Sequence, residues 1–559
     1  MAFYRPQRSF QSLFAFFLLF FSSSLFFLVL TFKPKHHYVT NPSLISPTND
    51  WFDLVSRNFD TQKLKIGLVN VEDDIKIMYD SYRLVESVSV DFVPVSKDKK
   101  WEDFFPEWID EFHKWGIPRC PEIPMPRLEA YRDLDVIVAR VPCGGEEKLG
   151  KKKGIRDVFR LQVNLVAANL VVENGWDKPD VERTVYVVFI GDCGPMQEIF
   201  RCDDLLTHIG EYWVYKPELR KLKQKLLMPV GSCQIAPAYA ETGKELWRNF
   251  MSESTVIGQN DTTYLQRIAY HQKVAYVTVL HSSEAYVCGA IALAQSIIQT
   301  NSTKDLILLH DSSITPKSLR GLRAAGWKTR LIQPIKSPFA RKGSYNEWNY
   351  SKLRIWQLTD YDKIIFIDSD IVVLKNMDKL FTFPQLSASG NDKTLFNSGV
   401  MVVEPSKCIF EDLMLKSRKL ASYNGGDQGF LNEAFTWWHR LPSRMNYLKS
   451  FGGGRNPNHE IPEQIYAMHL LGLKPWMCYK DYDCNWDMKD RHVFASDSAH
   501  KRWWQVYEAM PKKLHKYCEL TKQMDARIRK WRGIAKKLGL ADGHWKINPR
   551  DPRQHHFVE

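Results

Sequence analysis

Asp368, Ser369 and Asp370 interrupt an otherwise apolar run, KIIFIDSDIVVL at 363–374. Two carboxylates beside such a run are costly unless positive charge offsets them. In an extended segment, residues two apart face the same way, with Cα atoms about 6.5–7 Å apart. Such a pair can share a hard divalent cation, directly or through water, and oxygen ligands select Mg²⁺ or Mn²⁺ over softer metals. A cation there would hold a diphosphate and neutralise charge on a leaving phosphate. The alternative is a solvated turn after a core strand, and the apolar run on both sides favours the metal.

These residues need a scaffold. KVAYVTVL at 273–280, DLILLH at 305–310, the 363–374 run and GVMVVEP at 399–405 read as strands. EAYVCGAIALAQSI after the first reads as a helix. Strands alternating with helices imply an α/β domain with a mostly parallel sheet, which binds ligands at the carboxyl ends of its strands. This region is assigned to 270–500. An earlier region, 61–250, has strand-like runs at 65–71, 135–141 and 185–191 and an amphipathic helical stretch at 156–172. It reads as an α/β accessory region without a catalytic motif. Residues 501–559 are basic and aromatic and read as a peripheral helix with a loose tail.

At the other end, LFAFFLLFFSSSLFFLVLTF at 13–32 carries no charge. Twenty helical residues span roughly 30 Å, the hydrocarbon thickness of a bilayer. It reads as an uncleaved transmembrane anchor, because its apolar core is too long for a signal peptide and no A-x-A-like cleavage site follows. Residues 1–12 form a short basic head in the cytosol. Residues 33–60, with Pro34, Pro42 and Pro47, form a stem, and the body is luminal. Sequons stand at Asn260, Asn301 and Asn349.

Composition narrows the class. A chain of 559 residues suggests two or three domains. The net charge of +13 is spread along the chain and follows no groove-reading motif, which argues against nucleic acid. Ten cysteines include no C-x-x-C pair, which argues against zinc. Their even number permits disulfides in an oxidising compartment. The connectivity is open, with Cys193/Cys202 and Cys478/Cys484 as candidate pairs.

Four separated motifs then resemble glycosyltransferase family 8, which includes glycogenin. VTVLHSSEAYVCGA at 277–290 is similar to the family's first strand and nucleotide loop. DKIIFIDSDIVVLKNMDKLF at 362–381 resembles its metal-binding motif. FNSGVMVVEPS, with YNGGDQGFLN at 423–432, resembles the two acceptor-side loops. HLLGLKPW at 469–476 resembles the carboxyl-terminal motif. The resemblance implies a GT-A type, Rossmann-like catalytic domain and a retaining reaction.

It also implies roles. Asp368 and Asp370 would ligate Mn²⁺, with His469 as third ligand and Ser369 beside them. The segment Leu470, Leu471, Gly472, Leu473 and Lys474 would meet the diphosphate. Leu280 and Tyr286 would pack on uracil, and Lys352 would lie near the donor. Asn397, Ser398, Gly399, Asn424, Gly425, Gly426, Asp427 and Gln428 would line the donor sugar, the last two following the end of a helix. Lys352, Asn397, Asp427 and Gln428 are the catalytic candidates, and Asp427 is the best side chain to stabilise an oxocarbenium-like centre.

Asn424 stands where glycogenin-like members carry Asp, which implies a different sugar. The anchor, the 61–250 region and the wording WNYSKLRIWQLTDYDKIIFIDSD resemble the plant branch that decorates xylan. That branch transfers glucuronic acid from UDP-glucuronate to xylan in the Golgi, and other polysaccharide-synthesis proteins are candidate partners. Arg341, Lys342 and Arg354 are candidate partners for the donor's carboxylate. A family 8 transferase using UDP-glucose or UDP-galacturonate is the second reading. An inactive scaffold of a polysaccharide synthase complex is the third.

Overall fold

The computed structural model of the chain describes residues 49–59, 63–105, 121–143, 156–178, 181–228, 272–452 and 458–553. The chain divides into two compact units, 1–52 and 53–559, and both large sheets lie in the second. The expected anchor at 13–32, most of the stem and the sequon at Asn260 lie outside the described residues. Among the described residues, no helix is long and apolar enough to cross a membrane.

The first sheet is built from β1 (Leu64–Val69), β2 (Val85–Ser89), β3 (Val136–Arg140), β6 (Tyr186–Ile190), β7 (Leu205–Ile209) and β8 (Tyr212–Tyr215); a short ribbon, β4 (Trp176–Lys178) and β5 (Val181–Glu182), interrupts the count. Its order is β2-β1-β3-β6-β8-β7. The first four are parallel, and β8 runs antiparallel to both β6 and β7. All of β6 is buried, as its unbroken apolar run requires. The helix expected at 156–172 runs from Val158 to Asn174, where the Asp157 carboxylate accepts from the Arg160 amide. It is buried on nearly every side rather than on one face. The polar Gln162 is tolerated inside because it bonds the Val95 amide and the carbonyls of Val93 and Pro124.

The second sheet holds β9 (Val274–Leu280), β10 (Asp305–His310), β11 (Lys328–Leu331), β12 (Lys363–Ile367), β14 (Ser387–Gly390), β15 (Phe396–Val403) and β16 (His439–Leu441). The order is β11-β10-β9-β12-β15-β14-β16. β11, β10, β9 and β12 are parallel, and β15 runs antiparallel to β12. The chain is thus an α/β protein with mostly parallel sheets. The 363–374 run is not one strand. It breaks after Ile367 and resumes as β13 (Ile371–Val373), which leaves for a small sheet with β17 (Tyr447–Leu448) and β18 (Ala467–His469).

Two registers bring distant residues together. Ile367 pairs with Val400 across the antiparallel β12/β15 edge, so the start of β15 lies beside the end of β12. Ile371 pairs with His469 in the small sheet, so a residue about a hundred positions later lies beside the D-S-D turn.

The two halves of this unit share one hydrophobic core, which runs from Leu165 and Phe189 to Trp356 and Trp438. Arg201 and Lys363, both buried, pair with the buried Glu404 just after β15. Disulfides join Cys202–Cys408, Cys143–Cys193, Cys288–Cys518 and Cys478–Cys484. Cys478/Cys484 forms as expected, and Cys193/Cys202 does not, since each finds a partner closer in the fold than in sequence.

The stretch beyond 500 is also more than a loose tail. The helix Asp497–Ala509 buries Trp503 and Trp504. Arg553, 3% exposed, donates to the carbonyls of Trp476, Cys478 and Cys518 and pairs with Asp551. A buried guanidinium that satisfies three carbonyls and one carboxylate fastens this segment to the back of the 469–476 motif.

Candidate active site

A cavity of about 760 Å³ opens at the carboxyl ends of β9 and β12. The D-S-D triplet forms its floor as a turn, closed by the Ile371 amide donating to the Asp368 carbonyl at 3.1 Å. The carboxylates are therefore arranged by a turn and not by the two-residue period of a strand. The Asp368 amide donates to Gly399 O at 2.8 Å, and the Leu470 amide to Asp370 O at 2.9 Å. These bonds pin both neighbouring strands to the triplet.

Asp368, Asp370 and His469 each offer a ligand atom within 4.8 Å of the others. His469 Nε2 lies 3.3 Å from Asp370 Oδ1. Its Nδ1 is buried and finds no hydrogen-bond partner among the described residues. Two carboxylates and an imidazole with an idle nitrogen fit a hard divalent cation. Gly399 lets the ring come close, since a Cβ there would stand 2.6 Å from His469 Cε1.

The positive charge is placed asymmetrically. Lys474 Nζ lies 2.7 Å from Asp370 Oδ2. Lys352 Nζ lies 3.2 Å from Asp368 Oδ1 and 2.5 Å from Asp427 Oδ2, and it donates to Ser398 O and Oγ at 3.2 Å. Burial pushes the Asp368 carboxyl up, against the pull of Lys352, and the negative Asp370 and Asp427 add to the rise. Burial would raise Asp370 too, but Lys474 and His469 outweigh it and hold that carboxyl well down. This is how two carboxylates sharing a site divide their charge. For both lysines burial opposes the charge, and the facing aspartates keep the ammonium protonated.

Asp427 does not follow a helix end; it opens the helix Asp427–Ala434, with Gly426 as N-cap. The preceding turn supplies the missing acceptor, as Asn424 Oδ1 takes the amides of Gly426 at 2.9 Å and Gly429 at 3.2 Å. Ser398 Oγ donates to Asp427 Oδ2 at 2.8 Å, and Gln428 Oε1 accepts from the Ser398 amide at 3.3 Å. Asn397 Oδ1 accepts from Asn446 Nδ2 at 2.8 Å.

Of the expected residues, Leu280, Tyr286, Lys352, Asn397, Ser398, Asn424, Asp427, Gln428, Leu471, Gly472 and Lys474 line this one cavity with the D-S-D turn and His469. Gly399, Gly425, Gly426, Leu470 and Leu473 lie behind its wall. Leu470 is fully buried, and its carbonyl accepts from Lys474 Nζ, so it aims the lysine rather than meeting a ligand. Gly472 has φ +80°, a conformation that favours glycine.

Arg341, Lys342 and Arg354 do not line the cavity. Arg354 donates instead to Gln333 O and Gln357 Oε1 on the outer side of its helix. Residues not anticipated do line it, namely His281, Tyr345, Asn346, Trp348 and Asn349. The 343–349 stretch crosses the mouth, held by Asn346 Nδ2 on Asn424 O at 2.7 Å and by Glu347 Oε2 accepting from the Gly343 amide at 2.6 Å. Its Gly343, Ser344 and two asparagines are turn signals, but no periodicity points such a loop at a site.

Comparison with known proteins gives the same assignment. Residues 43–233 match the GUX1-5 N-terminal domain, and residues 277–388 match glycosyl transferase family 8. An Arabidopsis thaliana protein provisionally named UDP-glucuronate:xylan alpha-glucuronosyltransferase 5 is 54% identical, with 97% of each chain covered. UDP-glucuronate:xylan alpha-glucuronosyltransferase 2 of the same plant is 51% identical over 88% of this chain and 81% of its own. A solved structure of the galactosyltransferase LgtC with donor and acceptor sugar analogs aligns over 44% of this chain and 99% of its own, at 15% identity and a TM-score of 0.33. The chain belongs to glycosyltransferase family 8, in the group of UDP-glucuronate:xylan alpha-glucuronosyltransferases that carry the GUX1-5 N-terminal domain.

Proposed function

We propose that the protein transfers glucuronate from UDP-glucuronate to the xylan backbone with retention, and that it uses Mn²⁺ at Asp368, Asp370 and His469. The names of its relatives support the donor and acceptor. The observation that carries the chemistry is the convergence of Lys474 and His469 on Asp370, with Lys352 on Asp368, in one cavity. When bound, the cation supplies positive charge to the diphosphate.

The chain's own residues do the rest. Lys474 brings a cation to the phosphate oxygens, which compete with Asp370 for it. Tyr286 offers an aromatic face to the base at the cavity's end. Lys352 holds Asp427 and Ser398 in one cluster, so that a carboxylate faces the position where positive charge develops on the sugar.

The four disulfides among the described residues fit an oxidising compartment, and the apolar 13–32 segment fits a single-pass anchor with the catalytic unit in the Golgi lumen. A xylan acceptor would then be met in the lumen, among other polysaccharide-synthesis proteins.

The test is to give the full chain, in detergent with Mn²⁺, xylo-oligosaccharides and each of UDP-glucuronate, UDP-glucose and UDP-galacturonate, and to analyse the products. Glucuronosylated xylan is expected from the first donor alone. Transfer only from another donor would replace the donor assignment, and no transfer from any would point to a scaffold.

A further inference from the structure

The charges around the cavity are already paired with one another. Asp368 and Asp427 share Lys352, Asp370 has Lys474, and Glu347 has Lys336 at 2.9 Å. No arginine lines the cavity among the described residues, and the three cations expected to meet a sugar carboxylate lie elsewhere. An anionic sugar would therefore have to be read by neutral donors.

Asn424 is such a donor, and its orientation is fixed. Its Oδ1 accepts from the amides of Gly426 and Gly429. An amide oxygen can take these bonds and an amide NH₂ cannot, so the oxygen faces the helix start. Asn424 lines the cavity, and with its oxygen committed to the helix start, Nδ2 is the side-chain donor left to face a ligand. Asn346 is more committed, because one Nδ2 hydrogen goes to Asn424 O and its Oδ1 accepts from Asn349 Nδ2.

We infer that Asn424 is a specificity-determining residue that donates its Nδ2 hydrogens to the carboxylate of the donor sugar, an inference that rests on the reading of the donor as a uronate. A carboxylate at this position would still cap the helix through one oxygen. Its second oxygen would face the sugar's carboxylate with no cation to spare, while a neutral hexose would meet an ordinary acceptor. The residue thus selects by removing a repulsion as well as by adding a charge-assisted bond.

The test compares Asn424→Asp with the parent, both as full chains with Mn²⁺. Kd values for UDP, UDP-glucose and UDP-glucuronate are measured by calorimetry. The variant should bind UDP-glucuronate roughly 10- to 100-fold more weakly, as expected for like charges a few ångströms apart. Its affinity for UDP and UDP-glucose should change by less than about 3-fold, since the cap and the diphosphate contacts persist. Equal weakening for all three ligands, or none for UDP-glucuronate, overturns the assignment. A parent that makes no glucuronosylated product overturns the donor reading instead, and the product assay separates the two.

Discussion

Lys352 stands between two carboxylates, 2.5 Å from Asp427 and 3.2 Å from Asp368. It reaches them from the short helix Asn349–Gln357, while Asp368 follows β12 and Asp427 opens a helix some sixty residues later. One buried ammonium therefore couples the D-S-D turn to the side of the cavity assigned to the sugar.

Replacing Lys352 by Met should leave the buried Asp427 and the half-buried Asp368 without their shared cation. Removing one member of a buried pair costs about 3–5 kcal/mol. Transfer should fall by roughly 100-fold or more, as for loss of one group that positions charge at a reacting centre. Thermal unfolding of the variant should also shift downward. Steady-state kinetics and a melting curve check both, and a variant with parental turnover would show that the coupling does not serve the reaction.

Glu404 gives a pH prediction away from the site. Burial opposes its charge, yet Lys363, Arg201 and Lys225 hold its carboxyl at about 2. A carboxyl depressed in the folded state adds stability above its unfolded value of about 4.3, and that stability is lost as pH falls toward 2. The contribution is about 3 kcal/mol, from roughly two units at 1.36 kcal/mol each. Glu404→Gln should therefore be less stable than the parent at pH 6, and the gap should narrow as pH is lowered through 4. Melting temperatures of both proteins across that range test it; a constant gap contradicts it.

Arg553 tests the carboxyl-terminal segment. Its guanidinium is the donor for three buried carbonyls, including that of Trp476 in the HLLGLKPW motif. Arg553→Ala strands those acceptors at about 1–3 kcal/mol each. The variant should melt several degrees lower, and truncation before Asp551 should do the same. Unchanged melting would return the segment to the status of a tail.

Much of this was legible in the chain. The strands read from the sequence are apolar runs, while the short polar strands β2, β11, β14 and β16 carry no such signal, and the D-S-D triplet marked itself by being the wrong chemistry for its surroundings. His469 and Lys474 were not legible from spacing, because β18 joins β13 across a hundred residues; only the resemblance of their motif pointed to them. The start of a helix at Asp427 was misread because Gly425-Gly426 looks the same before a helix as after one, and the cap comes from Asn424 two residues earlier. The Arg354 expectation failed because a charge near a motif in sequence can sit on the far face of its helix. The burial of Arg553 had no signal, since a lone arginine in a basic stretch reads as solvated.

The most direct measurement of the central claim is Mn²⁺-dependent release of UDP by Asp370→Asn against the parent, with xylo-oligosaccharide present and UDP-glucuronate as donor. Asn keeps the shape of Asp370 and removes its charge from between Lys474 and His469. We expect the folded variant to lose metal-dependent release and transfer. Parental release at parental metal concentration would show that Asp368, Asp370 and His469 do not hold the cation that serves the reaction.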